Sequence, residues 1–172
     1  MSVSVQDRQR VASAVEEALA ELSGPRALAL DDALRMSELA CRKAAGMALP
    51  IVFAVADSAG GLILVHRMDG ALPASLDIAI NKAFTAAAFR MPTHELGEQA
   101  QPGRPLYGIE ATNQGRVVLF GGGYPCFRNG APVGALGVSG GTAAQDMEIA
   151  SQVMRGFFDD TELGSEGGRS HE

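Results

Sequence analysis

Two glycine clusters in the second half of the chain have the residue types and spacing most suggestive of chemistry. In Ser139–Thr142, where Gly140 and Gly141 join a predicted strand to a predicted helix, free N–H groups and the helix dipole favour an anion. In Gly121–Gly123, centred on Gly122, the missing side chains could let a ligand or another backbone segment come close. Each cluster also has a structural interpretation, a tight strand-to-helix turn for the first and a permissive loop for the second.

Four charged or titratable side chains are further candidates. Arg67 could clamp a carboxylate, and Lys82 or His94 could move a proton, while a salt bridge for Arg67 and a solvated side chain for Lys82 are the structural alternatives. His66 lies at the end of a predicted strand, where an exposed histidine without a special role is the ordinary interpretation. Two histidines without a third ligand at a recognisable spacing do not make a metal site, so we predict none.

The bulk composition restricts the class of protein. A chain of 172 residues with 47% hydrophobic and 20% charged residues fits one globular domain. A net charge of −6, no Trp and two Tyr argue against nucleic acid as a partner. Cys41 and Cys126 form no CxxC or disulfide framework, and we expect two free buried thiols. With no signal-peptide pattern and no apolar run of membrane-spanning length, we expect a cytoplasmic protein without a membrane partner.

Hydrophobic periodicity and turn residues predict an α+β fold. The apolar pattern alternates between helical stripes and buried strand runs, and the readable connections between strands are short enough to be hairpins. The sequence therefore predicts a five-stranded, largely antiparallel sheet with helices packed against it. The expected helices are 6–23, 31–47, 73–90, a short one from Thr93 and one opened by a Thr142–Gln145 capping box; the expected strands form a hairpin over 50–68 and then span 117–120, 124–128 and 132–138.

This pattern divides the chain into three segments. Residues 1–27 are expected to be a helical extension that packs on the domain or on a partner subunit, because Ser23–Pro25 separates it from the next predicted helix. Residues 28–158 form the main domain. Residues 159–172, which are polar, are expected to be a disordered tail.

Several motifs together resemble the family that includes GlcG, HbpS and the C-terminal domain of PduO. The resemblance covers about Leu30 to Phe157, with the motifs in the same order and spacing. The matching residues are Asp57 and Gly60; Arg67 to Ala71; Lys82 and Ala83; Pro92 and Thr93; Gly121 and Gly122 before Pro125; and Val133 to Gly141 with Gln145 and Asp146.

The resemblance implies a profilin-like or PAS-like fold, homo-oligomers and, for some members, haem binding or degradation. Other members are fused to, or encoded near, proteins of cobalamin, small-diol or glycolate metabolism. Haem-binding members are expected to have an axial histidine near the first helix of the domain, but helix 31–47 contains none. His66, His94 or a symmetry-related chain would then have to supply the ligand.

Three functions remain open from the sequence. The first is an oligomeric accessory protein that binds a small ligand, such as haem or another tetrapyrrole, in a pocket lined by the glycine loops. The second is an enzyme acting on a small carboxylate or carbonyl compound, using the amides of Ser139–Thr142 with Arg67, Lys82 or His94. The third is a structural or regulatory subunit that associates through helix 6–23.

Overall fold

The computed structural model describes residues 4–22 and 25–166, except for the side chains of residues 16–22 and 159–166. In these ranges the chain forms five α-helices, four β-strands and two short 3-10 turns. The helices are α1 (Val5–Leu22), α2 (Leu30–Gly46), α3 (Ser75–Phe89), α4 (Thr93–Gln99) and α5 (Ala143–Glu166), and the strands are β1 (Val52–Ala56), β2 (Leu62–Arg67), β3 (Gly123–Arg128) and β4 (Ala131–Ser139).

The strands form one antiparallel sheet in the order β2-β1-β4-β3. Strand β1 is central and buried along its whole length, as its uninterrupted apolar run predicts. Phe53 on β1 is paired with His66 on β2 and with Val138 on β4. These three side chains therefore lie on the same face of the sheet. Strands β2 and β3 are the two edges of this sheet.

The prediction of a fifth strand over Val117–Phe120 is wrong, since no strand is formed there. Side chains of neighbouring helices, rather than another strand, form hydrogen bonds with two backbone groups of this segment. The N–H of Val118 donates to Thr85 Oγ1 at 3.0 Å, and the carbonyl of Phe120 accepts from Thr93 Oγ1 at 2.7 Å. The segment is therefore held by α3 and α4 at the edge of a four-stranded sheet.

Helices cover both faces of the sheet. Helices α2 and α5 lie on the face that carries Phe53, where Met36 and Phe157 belong to the larger apolar core. Helix α3 lies on the opposite face, where Ala79 and Ala83 contact the alanines and valine of β1. The small residues of α3 allow its backbone to come close to the sheet, since a Cβ on Gly137 of β4 would overlap the carbonyl oxygen of Ala79. The predicted α+β architecture is thus confirmed, with four strands in place of five.

The described part of the chain begins and ends with a helix. Helix α1 matches the helix predicted over 6–23, and its Val11 and Val15 are 62% and 50% exposed, so the described part of its apolar stripe is not covered. Helix α5 continues to Glu166, past Asp159, where the disordered tail was expected to begin. Residues 167–172 of that predicted tail lie outside the described residues. No helix in the described ranges has the length and apolar character needed to cross a bilayer.

Candidate functional site

A buried ion pair lies where the glycine clusters meet. Helix α3 carries Lys82, whose Nζ donates to Asp146 Oδ2 at 2.7 Å and to the carbonyl of Val138 at 2.8 Å. The side chains of Lys82 and Asp146 are 0% and 3% exposed. The alternative of a solvated Lys82 is therefore wrong. The pair joins α3, the end of β4 and the first turn of α5.

Burial governs the protonation of both partners. Desolvation lowers the pKa of Lys82 and raises the pKa of Asp146, and the contact between them opposes both shifts. Each charge is compensated only while the other is present, because an unpaired ion is costly in an apolar interior. In this conformation Lys82 Nζ donates to Asp146 and to the carbonyl of Val138, and its side chain is not accessible to solvent.

Asp146 was not among the predicted site residues, although its position contains a signal. It precedes Ile149, Ala150 and Val153 by three, four and seven residues, so it lies on the buried stripe of α5. A carboxylate on a buried stripe requires a partner, and Lys82 is the cation that the fold supplies.

The glycine cluster Gly121–Gly123 packs directly on this ion pair. Gly122 has φ +115°, and a Cβ there would lie 2.9 Å from Lys82 Nζ and 2.7 Å from the carbonyl of Val138. A Cβ on Gly123 would lie 2.6 Å from the carbonyl of Lys82. The ring of Phe120, just before the cluster, lies 4.9 Å from Lys82 Nζ. In this conformation the backbone of the protein and the amine of Lys82 occupy the space that side chains at Gly122 and Gly123 would need.

The predicted anion site at the N-terminus of α5 is occupied by a carboxylate of the protein, that of Asp146. Asp146 Oδ1 accepts from the N–H of Gly141 at 3.0 Å, and the backbone of Gly140 and Gly141 opposes the rise in the pKa of this carboxyl. Gln145 Oε1 accepts from the N–H of Thr142 at 3.0 Å, which confirms the predicted capping box. Ser139 is buried in β4 opposite Val52. An external oxyanion would have to compete with Asp146 for these donors.

Arg67 and His94 lie in different surroundings from Lys82. Arg67 is exposed at the end of the edge strand β2. Val52 of β1 is paired with Arg67 on one side and with Ser139 on the other. Two strand spacings therefore separate the backbones of Arg67 and Ser139 by about 10 Å. His94 is half-buried on α4, its ring 5.8 Å from that of Tyr124, and its Nδ1 is buried without a hydrogen-bond partner among the described residues. No hydrogen bond or ion pair within the described part of the chain joins Arg67, Lys82 and His94.

A second cluster of polar side chains lies on the other face of the sheet, between α2 and the edge strand β2. His66 is exposed, and its Nδ1 is hydrogen-bonded to Ser37 Oγ at 2.7 Å. Cys41 Sγ lies 3.6 Å from Nδ1 and 4.0 Å from Nε2 of the same ring. Cys41 is only partly buried, so the prediction of two buried thiols holds for Cys126 alone.

This cluster adjoins an apolar stripe of α2. Leu30 and Leu34 precede Ser37 by seven and three residues and therefore lie on the same side of the helix. Both leucines are half-exposed, at 53% and 47%. The donor set suits haem, because a hydroxyl fixes one imidazole nitrogen, the histidine is exposed, and aliphatic side chains lie on the same side of α2 as that hydroxyl.

Comparisons with known proteins find a matching family model and several similar chains. A family model described as "Haem degrading protein HbpS-like" matches residues 28–155. A 15.0 kDa protein of Citrobacter freundii, encoded between dhaT and dhaS, is 45% identical over 130 residues, which are 76% of this chain and 92% of that protein. The crystal structure of a PduOC:haem complex shares 41% identity at a TM-score of 0.72, over 74% of this chain and 93% of that one.

A longer relative matches over only part of its length. The corrinoid adenosyltransferase PduO of Salmonella typhimurium is 42% identical over 130 residues, which are 76% of this chain but 39% of that protein. The similarity therefore concerns one domain of PduO and leaves most of the enzyme without a counterpart here.

Proposed function

The chain belongs to the HbpS-like family, and from that membership we propose that it is a haem-binding accessory protein with His66 as the axial ligand. The observation that carries the choice of His66 is its geometry. The ring is exposed, Ser37 holds Nδ1 at 2.7 Å, and Nε2 is directed away from that hydrogen bond. A metal-bound histidine ordinarily has its second nitrogen held in this way.

The surrounding residues would hold the macrocycle. Leu30 and Leu34 offer half-exposed aliphatic surface on the side of α2 that includes Ser37. Burial of apolar area of this kind stabilises a bound ligand by about 25 cal/mol per Å². Bound haem would supply an iron centre for redox chemistry or for binding small ligands. The protein's part is to orient His66 and to exclude water from one side of the ring.

His94 is the other histidine that could serve. Its ring is half-buried beside Tyr124, and the buried atom without a partner is Nδ1. Because Nδ1 of His94 is buried, a ligand could reach that atom only after a local movement, whereas His66 is already exposed. The geometry therefore favours His66.

The enzymatic alternative finds less support. The amides of Gly141 and Thr142 already donate to Asp146 and Gln145, and the amine of Lys82 is enclosed. Because the chain matches 39% of PduO, the adenosyltransferase activity of that protein gives no reason to propose the same activity here.

We also propose that the chain self-associates, as the family resemblance implies. Val11 and Val15 of α1 are exposed apolar residues outside the matched domain and are available for contact with another subunit. Light scattering on the full chain should give a mass that is a multiple of 17.8 kDa. A mass of one chain at all concentrations would contradict this proposal.

Haem titration followed by the Soret band tests the main proposal. The wild-type chain should bind haem saturably and close to one equivalent per chain. His66→Ala should weaken binding by more than about 10-fold, since loss of an outer-shell partner alone typically costs about 10–100-fold. His94→Ala is the matched control and should bind like the wild type. Haem affinity that His66→Ala leaves unchanged would contradict the assignment.

A further inference from the structure

The side chain of Arg116 is held firmly by helix α3. Its guanidinium carbon lies 3.8 Å from the centre of the Phe84 ring, so the planar group is stacked on that ring. Its Nε donates to Asn81 Oδ1 at 3.2 Å. Asn81 is oriented in turn, because its Nδ2 donates to Asp77 Oδ2 at 3.0 Å. Two independent contacts with α3 therefore fix the guanidinium.

The backbone that precedes Arg116 has an uncommon conformation. The three residues before it, Asn113, Gln114 and Gly115, have φ values of 50°, 62° and 73°. This left-handed region is unfavourable for residues with a side chain, and such strain persists only where surrounding contacts maintain it. The carbonyl of Arg116 accepts from Thr85 Oγ1 at 3.3 Å. The chain thus holds Arg116 by its backbone as well as by its side chain.

The outer nitrogens of Arg116, Nη1 and Nη2, have no partner among the described residues. The hydrogen bond of this guanidinium uses Nε, and the carboxylate of Asp77 accepts from Asn81 instead. The buried side-chain atom without a partner in the described ranges is His94 Nδ1, so both outer nitrogens of Arg116 are accessible to solvent. Other arginines of the described chain form ion pairs with carboxylates, namely Arg26, Arg42 and Arg128.

We propose that Arg116 is a recognition site for the carboxylate of a small organic acid. Nη1 and Nη2 form one edge of the planar guanidinium, and that edge matches the two oxygens of a carboxylate. Because Phe84 and Asn81 already restrict the side chain, little conformational entropy is lost when the anion binds. One guanidinium balances the single charge of a carboxylate, whereas a phosphate group has a charge of about −1.5 to −2 at pH 7.

This site is separate from the proposed haem ligand and goes beyond haem binding. Arg116 contacts α3, which covers one face of the sheet. His66 is paired with Phe53 and contacts α2, which lies on the opposite face. The two proposals can therefore be tested independently on the same protein.

Nuclear magnetic resonance tests the site with acetate as the probe. The full chain, uniformly labelled with ¹⁵N, is titrated with sodium acetate at constant ionic strength, and sodium chloride serves as the reference anion. The Nε–H signal of Arg116 and the backbone N–H signals of adjoining residues should shift saturably with acetate. Chloride, which cannot accept from the two nitrogens as a carboxylate does, should leave them in place.

Three variants separate the fork, its support and its charge. Arg116→Lys keeps the positive charge but not the planar fork, so acetate affinity should fall by at least about 10-fold. Phe84→Leu removes the stacking surface, and affinity should fall by about 2–10-fold because the guanidinium must then be ordered on binding. Arg42→Lys is the matched control and should bind acetate like the wild type, since Arg42 is paired with Glu38. Thermal unfolding verifies that every variant is folded.

Other results would overturn the proposal. These are an Arg116 signal that shifts equally with chloride, a folded Arg116→Lys variant with wild-type acetate affinity, and tighter binding of inorganic phosphate than of acetate. His66→Ala should keep the acetate response, and Arg116→Lys should keep the haem titration of the wild type. An acetate response without haem binding would contradict only the haem proposal, and haem binding without an acetate response would contradict only the carboxylate site.

Discussion

At the scale of single residues, Lys82 and Asp146 show how a buried charge depends on its partner. Lys82 Nζ makes two hydrogen bonds, to Asp146 and to the carbonyl of Val138, and Asp146 also accepts from Gly141. The charges are thereby satisfied at a place that solvent does not reach. Loss of one partner leaves the other ion buried and unpaired.

We therefore expect Lys82→Met to destabilise the protein by about 3–5 kcal/mol, the usual cost of leaving a buried ion without its partner. The double variant Lys82→Met with Asp146→Asn removes both charges and keeps an oxygen that can accept from Gly141. It should be more stable than the single variant. Urea denaturation measures both. A single variant as stable as the wild type would show that the pair is not a structural requirement.

The sequence predicts part of this site and not the rest. Lys82 and the glycines were identifiable as candidates, but no spacing rule connects Lys82 with Asp146, which lie 64 residues apart. The proximity of Ser37 and Cys41 to His66 is likewise a result of helix–strand packing. Local patterns report which face of an element is buried, whereas the identity of a polar partner depends on the tertiary fold.

At the scale of secondary-structure elements, close packing of a helix can require a glycine at one position. The sequence alone does not show which helical glycine is required for packing. Gly97 lies in α4, and a Cβ there would overlap the carbonyl oxygen of Leu119. Gly46 lies at the end of α2 with nothing within 4 Å of the position that a Cβ would occupy. The two helical glycines therefore have opposite sensitivity to the same substitution.

We expect Gly97→Ala to destabilise the protein by about 1–3 kcal/mol, since the overlap forces α4 away from the 117–120 segment. Gly46→Ala is the matched control and should be neutral or stabilise by up to about 1 kcal/mol through higher helix propensity. Differential scanning calorimetry of the two variants makes the comparison. Equal melting temperatures would mean that α4 can move without cost.

Element prediction from periodicity was accurate where one face of an element is apolar. The apolar stripe predicted for 31–47 became α2, which runs from Leu30 to Gly46. The prediction of a strand over Val117–Phe120 was wrong because an apolar run does not show what its backbone binds. There the partners are Thr85 and Thr93, which are polar side chains of helices.

At the scale of the whole molecule, the domain of residues 28–155 holds the sheet, both polar clusters and the family match, while α1 lies outside that match. The described side chains of α1, from Val5 to Val15, are all exposed. The core of the domain is completed by α2, α3 and α5 around the sheet.

Deletion of residues 1–25 should therefore leave the domain folded, because it removes none of the described core residues and keeps the Arg26–Asp32 contact. We expect a melting temperature close to that of the full chain and unchanged haem affinity, measured by calorimetry and Soret titration. A loss of cooperative unfolding would show that α1 covers part of the domain.

The most direct test of haem ligation by His66 is chemical rescue. In His66→Gly the imidazole is missing, while Ser37 and the leucine stripe of α2 remain. We predict a weakened or altered Soret band for this variant with haem, and recovery of the wild-type spectrum when free imidazole is added. A His66→Gly spectrum identical to that of the wild type before imidazole is added would show that another residue ligates the iron.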